Sequence, residues 1–501
     1  MTDRLHSFTL GDVTRDNART FPDLEALVCG DTRLTFPEVD DRVTRTACLL
    51  RDLGVQPGDR VVWIGLNCHR LLELIYACAK AGAIATPLNW RLKPDELAWI
   101  VEKVRPAVVI ASAREELAEA NAAARAAAPG AAWVMHDDGS YEARLAAVDP
   151  VDPELDLDDE MPVLQIMTAA FAGRPKGALL TSKGIVQQDL VLAAVRLIDP
   201  GDDVYLSSGP MFHIGVLLKT FAIFHWGGKN VMIPRVDADE ICRLVDAERC
   251  TSAYVFAPTI RQMVESNGDG RYDLKSLVDT VGGVPPDDIA GPWFAMTSCA
   301  PPRFTGTIGY GTSETVGMVT FEYRPPAPIG TFGRTSPVVA LRIVNQQGAE
   351  LPPGDVGEII VRGPQVMAGY FDEAPMDTKG WRHTGDLGRR EVDGSITFIG
   401  PNQDMVKTGM ENVYPAEVEN VLRDHPAIAD ACVFGVPDPE WGQSVRAVVE
   451  SSGDLAEADV IDFVRARIAG YKKPKSVIVV GSLPRVEGRV DRTAVKAAHG
   501  A

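Results

Sequence analysis

The sequence predicts an α/β protein with a large N-terminal domain of mixed βαβ subdomains plus a small β-barrel-like subdomain, followed by a small α+β C-terminal domain. Three patterns carry that expectation. Residues 40–190 alternate helical periodicity with short apolar runs, the stretch from about 335 alternates apolar and polar residues between Gly and Pro, and beyond Gly400 short strands and helices interleave. The expected division is 1–402 and 403–501.

Taken in order, RVVWIGL (60–66) reads as a buried strand, residues 69–82 as a helix, and AIATPL and VVIAS as the strands that follow. LLELIYACAKAGAIATPL is interrupted by Glu73 and Lys80, so it reads as a core helix running into a strand and not as a membrane span. EELAEANAAARAAA is an Ala-rich surface helix stopped by Pro129 and Gly130. The acidic segment VDPVDPELDLDDE (148–160) reads as a solvated connector into the strand LQIMTAA. Farther on, VALRIVN, VGEIIVRG and GSITFIG are strands with a turn at 346–348. The C-terminal unit reads helix AEVENVLRDH, strands IADACVFGV and SVRAVVE, helix EADVIDFVRARI, strand KSVIVV.

Of the 501 residues, 46% are hydrophobic and 24% charged, the balance of a folded globular chain. The net charge of −19 repels nucleic-acid backbones and anionic lipid, which argues against a nucleic-acid binder. The start MTDRLHSFTLGD has neither a signal nor a transit pattern, so a cytoplasmic location is expected. Eight scattered cysteines show no metal-knuckle spacing and read as reduced core residues; Cys68 beside His69 is read as packing, because adjacent side chains point apart.

The chemistry begins at LQIMTAAFAGRPKGALLTSKG, a strand followed by a small-residue loop ending in Gly-Arg-Pro-Lys-Gly, a form that wraps backbone N–H groups and one ammonium around phosphates. GYGTSET (309–315), ELPPGDVGEIIVRGPQVMAGYF, GWRHTGDLG (380–388) and GMENVYPAEVE (409–419) follow. In order and spacing these segments resemble the adenylate-forming enzymes, the superfamily of acyl-CoA synthetases, peptide-synthetase adenylation domains and luciferases. PMFHIG (210–215) and NVYPAEVE look most like the acyl-CoA synthetase branch.

The resemblance implies a mobile C-terminal lid and a two-step reaction. A carboxylate attacks the α-phosphate of ATP to give acyl-adenylate and pyrophosphate; CoA then displaces AMP. It implies that Tyr310 stacks on adenine opposite a turn at Gly282, Gly283 and Val284, that Gly311 and Ser313 complete the loop, and that Asp386 takes the ribose hydroxyls. Glu314 is the implied Mg²⁺ ligand, a hard oxygen beside a triphosphate. Thr168, Gly173 and Lys176 are the implied phosphate contacts, and His213 the residue at the mouth of the acyl pocket. Lys407, Gly409, Met410 and Trp441 would line the CoA tunnel, with Gln403 at the hinge. The implied partners are a small carboxylic acid, ATP, Mg²⁺ and CoA, in a monomer or homodimer; which acid is left open, although Lys219 near His213 is expected to face solvent.

Four departures touch one circuit. The phosphate loop has Ala169, Ala170, Phe171 and Ala172 where the family carries three hydroxyls and a glycine. In LPRVEGRVDR, Arg489 stands where the lid lysine falls, with Lys496 as a substitute; a forked guanidinium does not simply replace a compact ammonium. Pro401 stands in place of the hinge arginine, and Met410 in place of the tunnel's second glycine. The expected activity is therefore an AMP-forming acid:CoA ligase with an altered site. Two alternatives remain at this level: a ligase using an amine as nucleophile, and a non-ligase that only binds nucleotide or acyl-CoA.

Overall fold

The structure, a computed structural model, describes residues 7–168, 175–196, 198–283, 285–299, 309–322, 331–373, 380–401, 405–409, 411–451, 453, 455–486 and 489–500. Two large sheets form its body. The first has seven strands in the order Gly369–Tyr370, Lys176–Thr181, Pro162–Thr168, Ile84–Pro87, Arg60–Ile64, Val108–Ala111, Ala132–Met135. The last four are parallel, as βαβ crossovers require, while Pro162–Thr168 and Lys176–Thr181 form an antiparallel hairpin. The second sheet runs Asp279–Val281, Ser252–Tyr254, Val204–Ser207, Lys229–Met232, Glu25–Cys29, Thr32–Thr35, parallel except at its last pair.

Helix His69–Ala81 is buried on all sides because residues of both sheets' layers close over it. Its two buried charges are neutralised in place. Glu73 meets Arg42 at 2.7 Å, and Lys80 donates to Asp40 at 2.6 Å and Asp152 at 2.8 Å. Asp152 also takes Arg15 at 2.6 Å. The acidic segment expected to be a solvated connector is thus pinned at Asp152: unpaired, a buried Lys80 ammonium would be costly, and this carboxylate supplies its partner.

The β-rich stretch forms a four-stranded antiparallel sheet in the order Ala340–Val344, Val356–Arg362, Arg382–Arg390, Ile396–Pro401. The C-terminal unit is a five-stranded sheet built on the hairpin Asp430–Asp438 and Gly442–Glu450, flanked by Val406–Thr408 and Glu411–Val413 and by the parallel strand Ser476–Val480. Helices Pro415–Arg423 and Glu457–Arg465 pack on one face through Val418, Leu422, Val460 and Val464. Helix Arg492–His499 packs on the other through Val495 against Phe434 and Leu483.

All eight cysteines are free thiols. Burial pushes the Cys68 thiol up to about 12, which agrees with packing and not with a nucleophile. Among the described residues, no helix is long and apolar enough to cross a membrane.

Asp189, on helix Ser182–Arg196, is buried with His225 Nδ1 at 3.2 Å. Burial pushes its carboxyl from 3.8 up to about 6, although His225 pulls the other way. The folded protein therefore keeps this proton up to about pH 6, above the range where the unfolded chain has lost it. This group's contribution is full below the unfolded value and is lost as pH rises through about 6. Asp189→Asn, which keeps an acceptor for His225 without the buried charge, is expected to raise Tm at pH 8 more than at pH 4. Thermal melts of both proteins across that range check it; an equal shift at all pH values would contradict the assignment.

Candidate active site

A cleft of about 570 Å³ opens where the four-stranded sheet, the hairpin of the first sheet and the C-terminal unit meet. Thr168, Tyr310, Gly311, Ser313, Glu314 and Asp386 line it from the body, with His213 and Phe212 on another wall; Lys407, Glu411, Tyr414, Tyr471 and Lys472 face it from the C-terminal unit. Segments more than 300 residues apart in sequence thus meet in one cavity.

Tyr310 precedes the short strand Gly311–Thr312, whose pairing with Gly317–Met318 brings backbones so close that a side chain at 311 would strike the Gly317 carbonyl. The Tyr310 ring is stacked on Phe398, centroids 5.5 Å apart, and its hydroxyl donates to Asp386 Oδ2 at 2.6 Å. Asp386 sits mid-strand in Arg382–Arg390, facing inward; burial and then the Glu314 charge raise its pKa against the pull of Tyr310. Its Oδ1 accepts no bond among the described residues. Pro401, at the place of the family's hinge arginine, is directly opposite Asp386 in the sheet register.

Glu314 lies in the turn Ser313–Thr315, where Thr315 Oγ1 accepts the Thr312 N–H at 3.0 Å. Its Oε1 accepts Tyr370 OH at 2.7 Å and lies 3.7 Å from Arg382 Nη2, which itself donates to Tyr370 OH at 2.7 Å. Over the same ring, Lys176 Nζ stands 4.9 Å from the Tyr370 centroid and pairs with Glu373 at 2.7 Å. Lys176 faces Thr168 across the hairpin, with residues 169–174 as the connection between them. Tyr370 therefore joins the base of the phosphate loop to Glu314.

On the opposite wall, His213 caps helix Ile214–His225 at its N-terminus, with Nε2 3.4 Å from Glu411 Oε1. Arg91 also donates to Glu411 and lies over the Phe212 ring. Burial would raise the Glu411 carboxyl, but the His213 contact and the Arg91 charge outweigh it and hold it at about 2. Nearly two turns along the helix, Lys219 does not face solvent as expected: it is 6% exposed, paired with Asp279 at 3.1 Å and set over the Tyr205 ring. The helix is apolar all round, so an amine there reaches inward to a carboxylate at the edge of the second sheet.

The structure brings together Thr168, His213, Tyr310, Gly311, Ser313, Glu314, Asp386 and Lys407. Lys176 stands beside them through Tyr370. Gly283 is packed backbone to backbone against Phe256 and does not line the cleft. Gly409 donates its N–H to the Trp441 carbonyl at 2.9 Å, and the Trp441 indole covers it, a contact outside the cleft wall. Gly173, Val284, Met410 and Gln403 lie outside the described residues, and of Arg489 only the backbone is described. Its strand Arg489–Val490 pairs with Arg485–Val486, and no described residue of 483–499 lines the cleft.

Reading the sequence missed Tyr370, Arg382, Phe398, Arg91, Glu411, Tyr471 and Lys472. Tyr370, Arg382 and Glu411 stood inside quoted motifs; Phe398 and Lys472 carried no spacing signal, since each acts through a partner distant in the chain.

A cleft with a stacked aromatic pair, an inward carboxylate and the Thr168–Lys176 hairpin, faced by a separate C-terminal unit, is the layout the motifs of an adenylate-forming enzyme imply. The chain belongs to the AMP-binding enzyme family: residues 14–371 match the AMP-binding enzyme model and 417–488 match the AMP-binding enzyme C-terminal domain. It is an AMP-forming acid:CoA ligase, which activates a carboxylic acid with ATP and transfers it to CoA. It is 34% identical to a feruloyl-CoA synthase of an Amycolatopsis species, over 95% of this chain and 96% of the relative. An indoleacetate–CoA ligase of Aromatoleum aromaticum is 32% identical over 93% and 95%. The fold matches an o-succinylbenzoate CoA synthetase of Bacillus subtilis, solved with a product analogue, at a TM-score of 0.81 and 23% identity, covering 97% and 98% of the two chains.

Proposed function

We infer that the acid activated here is an aromatic carboxylic acid, taken up past His213. The observation carrying this reading is the aromatic wall at the pocket mouth, where the Phe212 and His213 rings lie 4.7 Å apart and the Tyr254 hydroxyl would sit 3.1 Å from a Cβ at Gly215. Flat rings suit a planar acyl group. Feruloyl-CoA synthase and indoleacetate–CoA ligase, by their names, both handle aromatic acids. Incubation with ATP, Mg²⁺, CoA and equimolar arylacetic, cinnamic and straight-chain acids, read by mass of the thioesters, tests it; a preference for long straight chains would overturn it.

In this reading the adenine stacks on Tyr310 and the ribose binds Asp386, while Lys176 and Thr168 meet the phosphates. Glu314 would hold Mg²⁺: Oε2 accepts no bond among the described residues, and Mg²⁺ needs only one or two carboxylates beside substrate phosphates and water. A cation held by Glu314 would supply positive charge for the pyrophosphate that leaves. Without the loop hydroxyls, Lys176 carries more of the phosphate contact, and to reach it must leave Glu373. Residues 403–501 act as the lid, pivoting near Gln403, with Arg489 as its adenylation residue. Lys407 and Gly409 border the path of CoA. The enzyme works in the cytoplasm, where its free thiols stay reduced.

Met410 bears on the same path. Met410→Gly is expected to raise CoA-dependent turnover at low CoA, because a thioether no longer narrows the passage. Steady-state kinetics against CoA check this, and an unchanged kcat/KM for CoA would remove Met410 from the tunnel.

A further inference from the structure

The Lys472 ammonium is buried, its side chain 4% exposed, and it donates to two carboxylates: Glu417 Oε1 at 2.6 Å and Glu96 Oε1 at 2.7 Å. Glu417 belongs to helix Pro415–Arg423 of the C-terminal unit, and Glu96 to helix Pro94–Val104 of the body. One cation therefore bridges the two parts. The other Glu96 oxygen accepts the Lys93 N–H at 2.9 Å, closing the first turn of its own helix, and the Ala469 N–H of the C-terminal unit at 3.1 Å.

We propose that Glu96 and Lys472 are positioning residues for the thioester-forming step, holding the C-terminal unit in the orientation that turns Met405, Lys407, Glu411 and Tyr414 toward the cleft. The inference rests on the reading of Arg489 as an adenylation residue that acts from a second orientation. Lys472 and Glu417 travel together however the unit turns. Of the bonds Lys472 makes, only the one to Glu96 is made in one orientation and lost in another.

The chemistry of the junction makes that difference large. With Lys472 present, two carboxylates share one ammonium and a backbone N–H away from water, where charge-assisted bonds are strong. Any turn that carries strand Arg489–Val490 into the cleft must withdraw Lys472 and Ala469 from Glu96. Glu96 is a clean probe because, unlike Lys472, Glu411 and Tyr471 at the same junction, it does not line the cleft.

The test separates the two half-reactions. Glu96→Gln keeps an acceptor for the Lys93 N–H, so the helix start survives, but it removes the charge opposite Lys472. Thioester formation from preformed acyl-adenylate at subsaturating CoA should fall roughly tenfold, with ATP–pyrophosphate exchange kept within about twofold. Glu96→Lys, which sets two ammonium groups against each other, should lose more, and the exchanged pair E96K with K472E should recover part of the thioester rate. Equal loss in both half-reactions, or an unchanged thioester rate, would overturn the proposal. Arg489→Ala run alongside keeps the supporting reading separate: untouched exchange there defeats the role of Arg489, whereas the Glu96 result alone decides the bridge.

Discussion

Arg489→Ala is expected to lower ATP–pyrophosphate exchange about a hundredfold or more, while ATP binding stays near the parent value. Adenylation develops negative charge between the attacking carboxylate and the α-phosphate, and a cation brought there only in the transition state accelerates the step by about that factor. In the orientation seen here, strand Arg489–Val490 pairs with Arg485–Val486, away from the cleft. Helix Arg492–His499, which follows it, is tied to the C-terminal unit by Val495, so the unit must turn as a body for Arg489 to arrive. Conversion of preformed acyl-adenylate to thioester should accordingly persist in the variant. Arg489→Lys should keep or increase exchange. Exchange unaffected by Arg489→Ala would move the role to Lys496.

The second large effect is expected at Asp386. Asp386→Ala should weaken AMP binding by about thirtyfold or more, the scale of losing two hydrogen bonds to a charged acceptor. The variant also strands the buried Tyr310 hydroxyl, which donates to Asp386 at 2.6 Å, so some destabilisation should accompany it. Asp386→Asn separates the two effects. An amide oxygen still receives the Tyr310 hydroxyl, so stability should return, but the amide's NH2, a donor, then stands where the carboxylate's open Oδ1 would accept from the ribose. Calorimetric titration with AMP, paired with thermal melts, reads both. Parent-like AMP affinity in Asp386→Ala would remove the ribose assignment.

Much of this was legible in the chain because it is local. The βαβ rhythm of residues 60–111 and the turn at 346–348 each depend on a few neighbouring residues, and period and turn chemistry report them directly. Tyr310, Glu314 and Asp386 were identified by motif, and the fold places all three in one cleft. The C-terminal order of helices and strands was also plain, since every element carries its own apolar stripe.

What the sequence could not show is pairing across distance. Asp152 looked solvated until Arg15 and Lys80 closed on it, and Lys219 looked exposed until Asp279 met it. Whether a charge is buried depends on which partner the fold brings, and no local pattern encodes a partner 60 or more residues away. The orientation of the C-terminal unit is of the same kind. The sequence determined that this unit exists and carries both the 405–414 segment and Arg489; only the tertiary structure decided which faces the cleft, because that choice is made by contacts such as Lys472 to Glu96 between surfaces that fold separately.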